Sequence, residues 1–236
     1  MLNAKHKERK EFIENGIGKT YAVDGIQLSE FSSFNTANAV VWVDPLDGTS
    51  DFVKGNLPAV TVLIGVSING YSRIGIVHNP FSDEDETKGR TIIGTMEHGV
   101  YRLYFEEKFT QEELLKRVPE YLPPFDHSEK AAEEHKFVVA ASLMHFSPEM
   151  EKIIETITPV EIKRIGGAGN KCFNVAYGRV DSYLHPSVGL RNWDLCAPET
   201  LIKAMGGYAT NIREERLLYT LEGSTKLAGL ILSKNP

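Results

Sequence analysis

The residues best suited to chemistry are two aspartates three positions apart, Asp44 and Asp47, with Pro45 and Leu46 between them. An apolar run at 39–43 precedes them and reads as a buried strand. Pro45 has no N–H for a sheet ladder and biases Asp44 away from helical backbone, so the strand is expected to stop there in a turn. In such a turn the two carboxylates can converge. Gly48 and Thr49 follow directly, and 49–54 reads as a short helix stopped by Gly55. Hard oxygen anions suit Mg²⁺, and backbone N–H groups at a helix start suit a phosphate. The same residues also make a type I turn with Asp first and Pro second, followed by a helix cap. The stretch alone leaves both readings open.

Three other places carry polar groups that a cleft could use. Asp194 opens a helix at Trp193-Asp194, where it serves as N-cap or as a third carboxylate beside the first two. Ser142 and His145 fall at a strand end, where a histidine is either a structural hydrogen-bonder or a ligand contact. The turn Gly166-Gly167-Ala168-Gly169-Asn170-Lys171 enters a helix centred on 171–177. Its small residues permit close backbone approach to a ligand, with Lys171 aimed at a phosphate, or simply tight helix–strand packing.

The elements that must position these groups belong to an ordinary globular composition. Of 236 residues, 42% are apolar and 25% charged, and the net charge is −6. That charge argues against a broad nucleic-acid or anionic-membrane surface, so an anionic substrate needs locally supplied positive charge. Cys172 and Cys196, the only cysteines, have no CxxC spacing and read as buried thiols. No signal peptide or bilayer-length apolar run is evident, which makes the cytosol the expected compartment. Residues 5–14 read as a charged, solvated segment and 29–38 as a loop. Strands are expected at 60–68 and 73–77 around an Asn69-Gly70 hairpin turn, then at 91–95 and 99–105, with 83–90 a surface loop between. This is an antiparallel meander. Beyond it come a helix at 111–121, an exposed boundary at 126–135 and a strand at 137–141. A helix from Ser147-Pro148 to residue 157 follows, then a strand at 180–185, a loop at 186–192 and a helix from Trp193 to Gly206. Strands at 208–212, 216–219 and 227–233 close the chain. The expected division is 1–125, a metal-binding α+β part, and 126–236, an α/β part, together forming one catalytic unit.

With WVDPLDGT at 42–49 and WDLCAPE at 193–199 both in view, the chain resembles the lithium-sensitive, Mg²⁺-dependent inositol monophosphatase superfamily. Together with GGAGNK at 166–171, these stretches look most like its 3'(2'),5'-bisphosphate nucleotidases. The resemblance implies an α/β (α+β) fold, a layered α/β/α/β sandwich. It implies removal of the 3'-phosphate from adenosine 3',5'-bisphosphate by two-metal water attack, a step tied to sulfur metabolism. Inositol phosphates are the alternative substrate, and nucleotide binding without turnover is the alternative of another class. The implied partner is a small phosphate ester rather than a nucleic acid or a membrane.

Carried over by position, the resemblance implies that Asp44 bridges two Mg²⁺ ions, Asp47 and Asp194 ligate the second, and the Leu46 carbonyl helps hold the first. Gly48 and Thr49 would bind the scissile phosphate, and Thr49 would orient the attacking water. Ser142, His145, Gly167 and Lys171 would contact the nucleotide. Two such ions, about 3.5–4 Å apart, can activate a water and neutralise phosphoryl oxygens. The chain departs from the family pattern upstream of Asp44, where no Gly-Glu-Glu occurs. The expectation is therefore a missing N-terminal segment, weak Mg²⁺ binding, at most trace activity, and self-association through uncovered apolar surface.

Overall fold

The computed structural model describes residues 38–81, 88–106, 117–127, 136–143, 146–157, 160–222 and 225–235. Contacts divide the chain into Met1–Asn35 and Thr36–Pro236, and all described residues belong to the second unit. The expected segments 5–14 and 29–37, most of loop 83–90, residues 111–116, most of 126–135, and His145 lie outside them.

Two sheets organise the unit. The first contains β1 (Ala39–Asp47), β2 (Thr61–Ile68), β3 (Tyr71–Asn79), β4 (Lys88–Thr95), β5 (Gly99–Glu106) and β6 (Glu120–Leu122). Its spatial order follows the chain and every pair is antiparallel, as the meander reading requires. Asn69 and Gly70, both at positive φ (53° and 80°), make its first tight turn. The second sheet contains β7 (Phe137–Ser142), β8 (Val160–Ile165), β9 (Ser182–Arg191), β10 (Tyr208–Thr210) and β11 (Lys226–Ser233), in the order β10-β11-β9-β7-β8. Strand β7 runs parallel to both β8 and β9.

Helices α3 (Ala168–Ala176) and α4 (Asn192–Ala204) touch strands of both sheets and pack on each other, forming the layer between them. Helix α2 (Pro148–Glu155) lies against β8 and β9, where Ile154 meets Val139 and Ala141. The central layer is dry: Leu63, Val77, Ile92, Phe173, Leu195, Leu201, Leu230 and Leu232 share one core, with the buried thiols of Cys172 and Cys196. Alternate residues of β2 point into it, the period of a sheet with one covered face. Helix α4 crosses the first sheet over Gly65, Gly75 and Gly94, which are register partners on three adjacent strands. A Cβ on Gly65 would run into Cys196 and Ala197, and one on Gly75 into Ala197 and Thr200. The glycine row thus sets how closely the helix, and Asp194 on it, approaches the sheet.

Several elements differ from the sequence reading. Strand β1 does not stop at Asp44 but runs through Pro45 to Asp47, with a register irregularity between the two aspartates. Among the described residues it is an edge strand, where a missing N–H on the outer side breaks no ladder bond and Pro45 is tolerated. Strand β9 likewise continues through Pro186 to Arg191, replacing the expected loop. Among the described residues its pairing with β7 ends at Tyr183, before Pro186. Lys88 to Arg90 belong to β4 rather than to a surface loop, and the Arg90 guanidinium is buried over the rings of Phe173 and Tyr177 at 4.3 and 5.0 Å. Of the expected helix at 111–121 the described part, 117–121, is not helical and leads into strand β6, since Pro119 disfavours helix and Leu122 is drawn into the core. Strand β8 was not expected, because half of its sequence VEIKRI is charged and it forms the sheet edge. Residues 216–219 form no strand. They are held by Tyr219 N–H donating to the Gly70 carbonyl (2.8 Å) and Ser67 Oγ donating to the Tyr219 carbonyl (2.9 Å).

Candidate active site

The end of β1 is shaped by its own side chains. Asp44 Oδ1 accepts the Leu46 N–H at 3.1 Å, turning the backbone across Pro45. The Thr49 hydroxyl donates to the Leu46 carbonyl at 2.9 Å. Helix α1 (Thr49–Val53) then begins after Gly48, which is left-handed at φ 79°.

Asp47 is bound by the other half of the chain. Its carboxylate accepts the Thr61 hydroxyl at 2.6 Å, the Ala168 N–H at 3.0 Å and the Gly169 N–H at 2.8 Å. The positive end of α3 therefore rests on a buried carboxylate from β1, a favourable pairing of anion and helix N-terminus. The glycines of the GGAGNK turn make this approach possible. Gly167 has φ 68° and its Cβ would collide with the Ala59 carbonyl, and a Cβ on Gly169 would overlap the Thr61 hydroxyl. Lys171 is also buried. Its ammonium donates to the Gly167 carbonyl at 2.6 Å and the Ile165 carbonyl at 3.3 Å, and sits 4.8 Å from the Tyr183 ring centre. Burial draws its pKa down to about 8, against the opposing charges of Asp47, Asp51 and Asp194.

Asp194 is not the N-cap of α4. Arg191 holds that position, and Asp194 sits three residues inside, its Oδ2 accepting the Arg191 N–H at 2.7 Å. Its side chain interacts directly with that of Asp44. Burial raises the affinity of both carboxyls for a proton and the negative charge of Asp47 raises it further, bringing the pKa of Asp194 to about 7. Two acids held face to face in this way favour a shared cation, proton or metal. Asp47, by contrast, is turned toward Thr61 and α3, so among the described residues no three acidic, histidine or cysteine side chains form a ready-made cage.

One cavity of about 810 Å³ gathers most of the sequence-derived residues: Asp47, Gly48, Thr49, Ser142, Gly167, Lys171 and Asp194 all line it. Asp44 and Leu46 stand behind that wall, joined to it through Asp194 and Thr49. Sequence reasoning missed Asp51, Tyr183 and His185 on the same lining, and Thr61 beneath it. Tyr183 and His185 alternate along β9, so strand periodicity offered a signal for that pair. Asp51 is buried and fixed by the Asn56 amide at 2.7 Å.

Two sheets enclosing a helical layer, with an acidic edge strand facing an aspartate on the central helix, define a protein of the inositol monophosphatase family. The family's sequence profile matches residues 7–232, and the chain belongs to that family. Among individual relatives, it is 31% identical to the mouse (Mus musculus) 3'(2'),5'-bisphosphate nucleotidase 1 over 198 residues, covering 82% of this chain and 56% of that protein. It is 27% identical to the human (Homo sapiens) Golgi-resident adenosine 3',5'-bisphosphate 3'-phosphatase over 202 residues, covering 83% of this chain and 47% of that protein. The chain thus spans about half the length of these relatives. Its fold matches the crystal structure of CysQ from Bacteroides thetaiotaomicron, a bacterial member of the family, with a TM-score of 0.66 at 24% identity, covering 88% of this chain and 76% of that one. No helix among the described residues is long and apolar enough to cross a membrane.

Proposed function

We propose that this site hydrolyses a phosphate monoester with Mg²⁺, and that its substrate is adenosine 3',5'-bisphosphate, giving AMP. The observation that carries the reading is the convergence on one cavity of three separated motifs, WVDPLDGT, GGAGNK and WDLCAPE. The names of the relatives support the nucleotide as substrate.

The donor set fits a hard divalent ion. Asp44, Asp47, Asp194 and the Leu46 carbonyl offer only oxygen, and the Asp44 and Asp194 carboxyls face each other. When bound, such ions neutralise phosphoryl oxygens and make a coordinated water nucleophilic near neutral pH. The chain's own groups do the orienting. Because the Thr49 hydroxyl spends its proton on the Leu46 carbonyl, it meets an incoming water as an acceptor and fixes that water's direction. Gly48 and Thr49 at the start of α1 receive the phosphate, while Ser142, His145, Gly167 and Lys171 serve the nucleotide side. Among the described residues the first sheet's strands all precede residue 125 and the second's all follow it, in keeping with a division near that point.

Phosphate release is measured from adenosine 3',5'-bisphosphate and from inositol 1-phosphate in Mg²⁺ and in chelator. Mg²⁺-dependent release that favours the bisphosphate is expected. Faster release from inositol 1-phosphate would overturn the substrate, and equal release in chelator would overturn the metal. One observation favours a second reading, nucleotide binding without turnover: three hydrogen bonds already occupy the Asp47 carboxylate. Tight calorimetric binding of the bisphosphate with no phosphate release at millimolar Mg²⁺ would select it.

A further inference from the structure

The cavity has a second wall, away from the aspartates, that phosphate chemistry leaves without a task. It is formed by Leu143, Phe146 and Met150, between the end of β7 and the first turn of α2. Phe146 packs its base on Val139, Ala141 and Ile154 and borders the cavity. The Arg164 guanidinium lies 3.6 Å from its ring centre, and Arg164 Nε donates to the Ser142 carbonyl at 3.0 Å. A second strand contact, the Leu143 N–H on the Ile165 carbonyl at 3.2 Å, ties the same rim to β8.

We propose that Phe146 is the specificity-determining residue for the substrate's organic group, acting as a stacking platform for a purine base. The inference rests on the nucleotidase reading above and deepens it. A cation over one face of an aromatic ring withdraws its electron density, and a ring so polarised stacks well on an electron-rich heterocycle. Arg164 is itself fixed by a backbone carbonyl, so the ring has little freedom left to lose on binding. A cavity of about 810 Å³ accommodates a nucleotide. An inositol ring has no π face to stack on Phe146, and against Leu143, Phe146 and Met150 its rim of hydroxyls would lose water without gaining partners.

The test uses Phe146→Leu, which keeps apolar packing against Ile154, and Phe146→Tyr, which keeps the ring. Calorimetry with AMP measures base binding independently of turnover, and glycerol 2-phosphate serves as a phosphate without a base. AMP affinity is expected to fall about 5- to 150-fold in Phe146→Leu, the range of one aromatic–base stack, and to stay near the parent value in Phe146→Tyr. Inhibition by glycerol 2-phosphate should not change in either variant. Parent-like AMP binding by Phe146→Leu overturns the inference, and so does equal weakening of both ligands or a parent that does not bind AMP. A parent that binds AMP but releases no phosphate overturns the hydrolytic reading alone, and the comparison of variants still decides the role of Phe146.

Discussion

Replacing Thr61 by Val removes one hydroxyl from beneath Asp47 and almost nothing else. Thr61 is fully buried, and its Oγ1 donates to the Asp47 carboxylate at 2.6 Å. The new methyl fills the same space, so the loss is that of a hydrogen bond to a charged, buried acceptor, about 1.5–3 kcal/mol. For a unit of this size each kcal/mol moves the melting point about 2–4 °C, so Tm should drop by roughly 3–12 °C. The measurement is a thermal melt in chelator, with Thr61→Ser alongside. Serine keeps the donor and loses a buried methyl, so a smaller drop is expected there. The Ala168 and Gly169 N–H groups remain on Asp47, and the fold should survive. If Thr61→Val melts with the parent, or Thr61→Ser is the worse variant, the hydroxyl is not what holds Asp47 against α3.

Asp194→Asn should raise Tm in chelator, because one of two facing half-buried acids loses its charge while the amide oxygen still accepts the Arg191 N–H. It should also remove the stabilisation that added Mg²⁺ gives the parent, and a parent-like Mg²⁺ response would count against the metal assignment. Ser147→Ala deletes the side-chain cap on the Met150 N–H and should cost about 1 kcal/mol in a denaturant titration, with unchanged m-value; an unshifted midpoint would show the cap to be idle. His78, held at Thr91 Oγ1 (2.8 Å) and edge-on to Phe105, has its pKa lowered by burial. A depressed folded value means its contribution is present above the unfolded value of about 6.5 and is lost as pH falls through the folded one. His78→Gln should therefore flatten the decline of Tm below that pH, and an unchanged slope would exclude His78 as a source of it.

Where a few neighbouring residues constrain the backbone, the chain alone was enough. Asn69-Gly70 turns the first hairpin and Ser147-Pro148 starts α2, through φ restriction and local side-chain capping. The motifs around Asp44, Gly167 and Asp194 each stayed open to a plain turn, packing or cap reading, and became a set only through the family resemblance they carry together. Their mutual arrangement was not legible. Asp47 finds its donors 121 and 122 residues away, at Ala168 and Gly169. Asp194 meets Asp44 only because a glycine row lets α4 lie close on the first sheet. Arg90 looked like part of a charged loop, yet the rings of Phe173 in α3 and Tyr177 just beyond it bury it, and Pro45 and Pro186 looked like strand ends, yet β1 and β9 run through them. Local conformation depends on contacts a few residues apart, which sequence order states directly. Burial, cross-sheet hydrogen bonds and the pairing of charges depend on which distant surfaces the topology brings together, and only the folded chain supplies that.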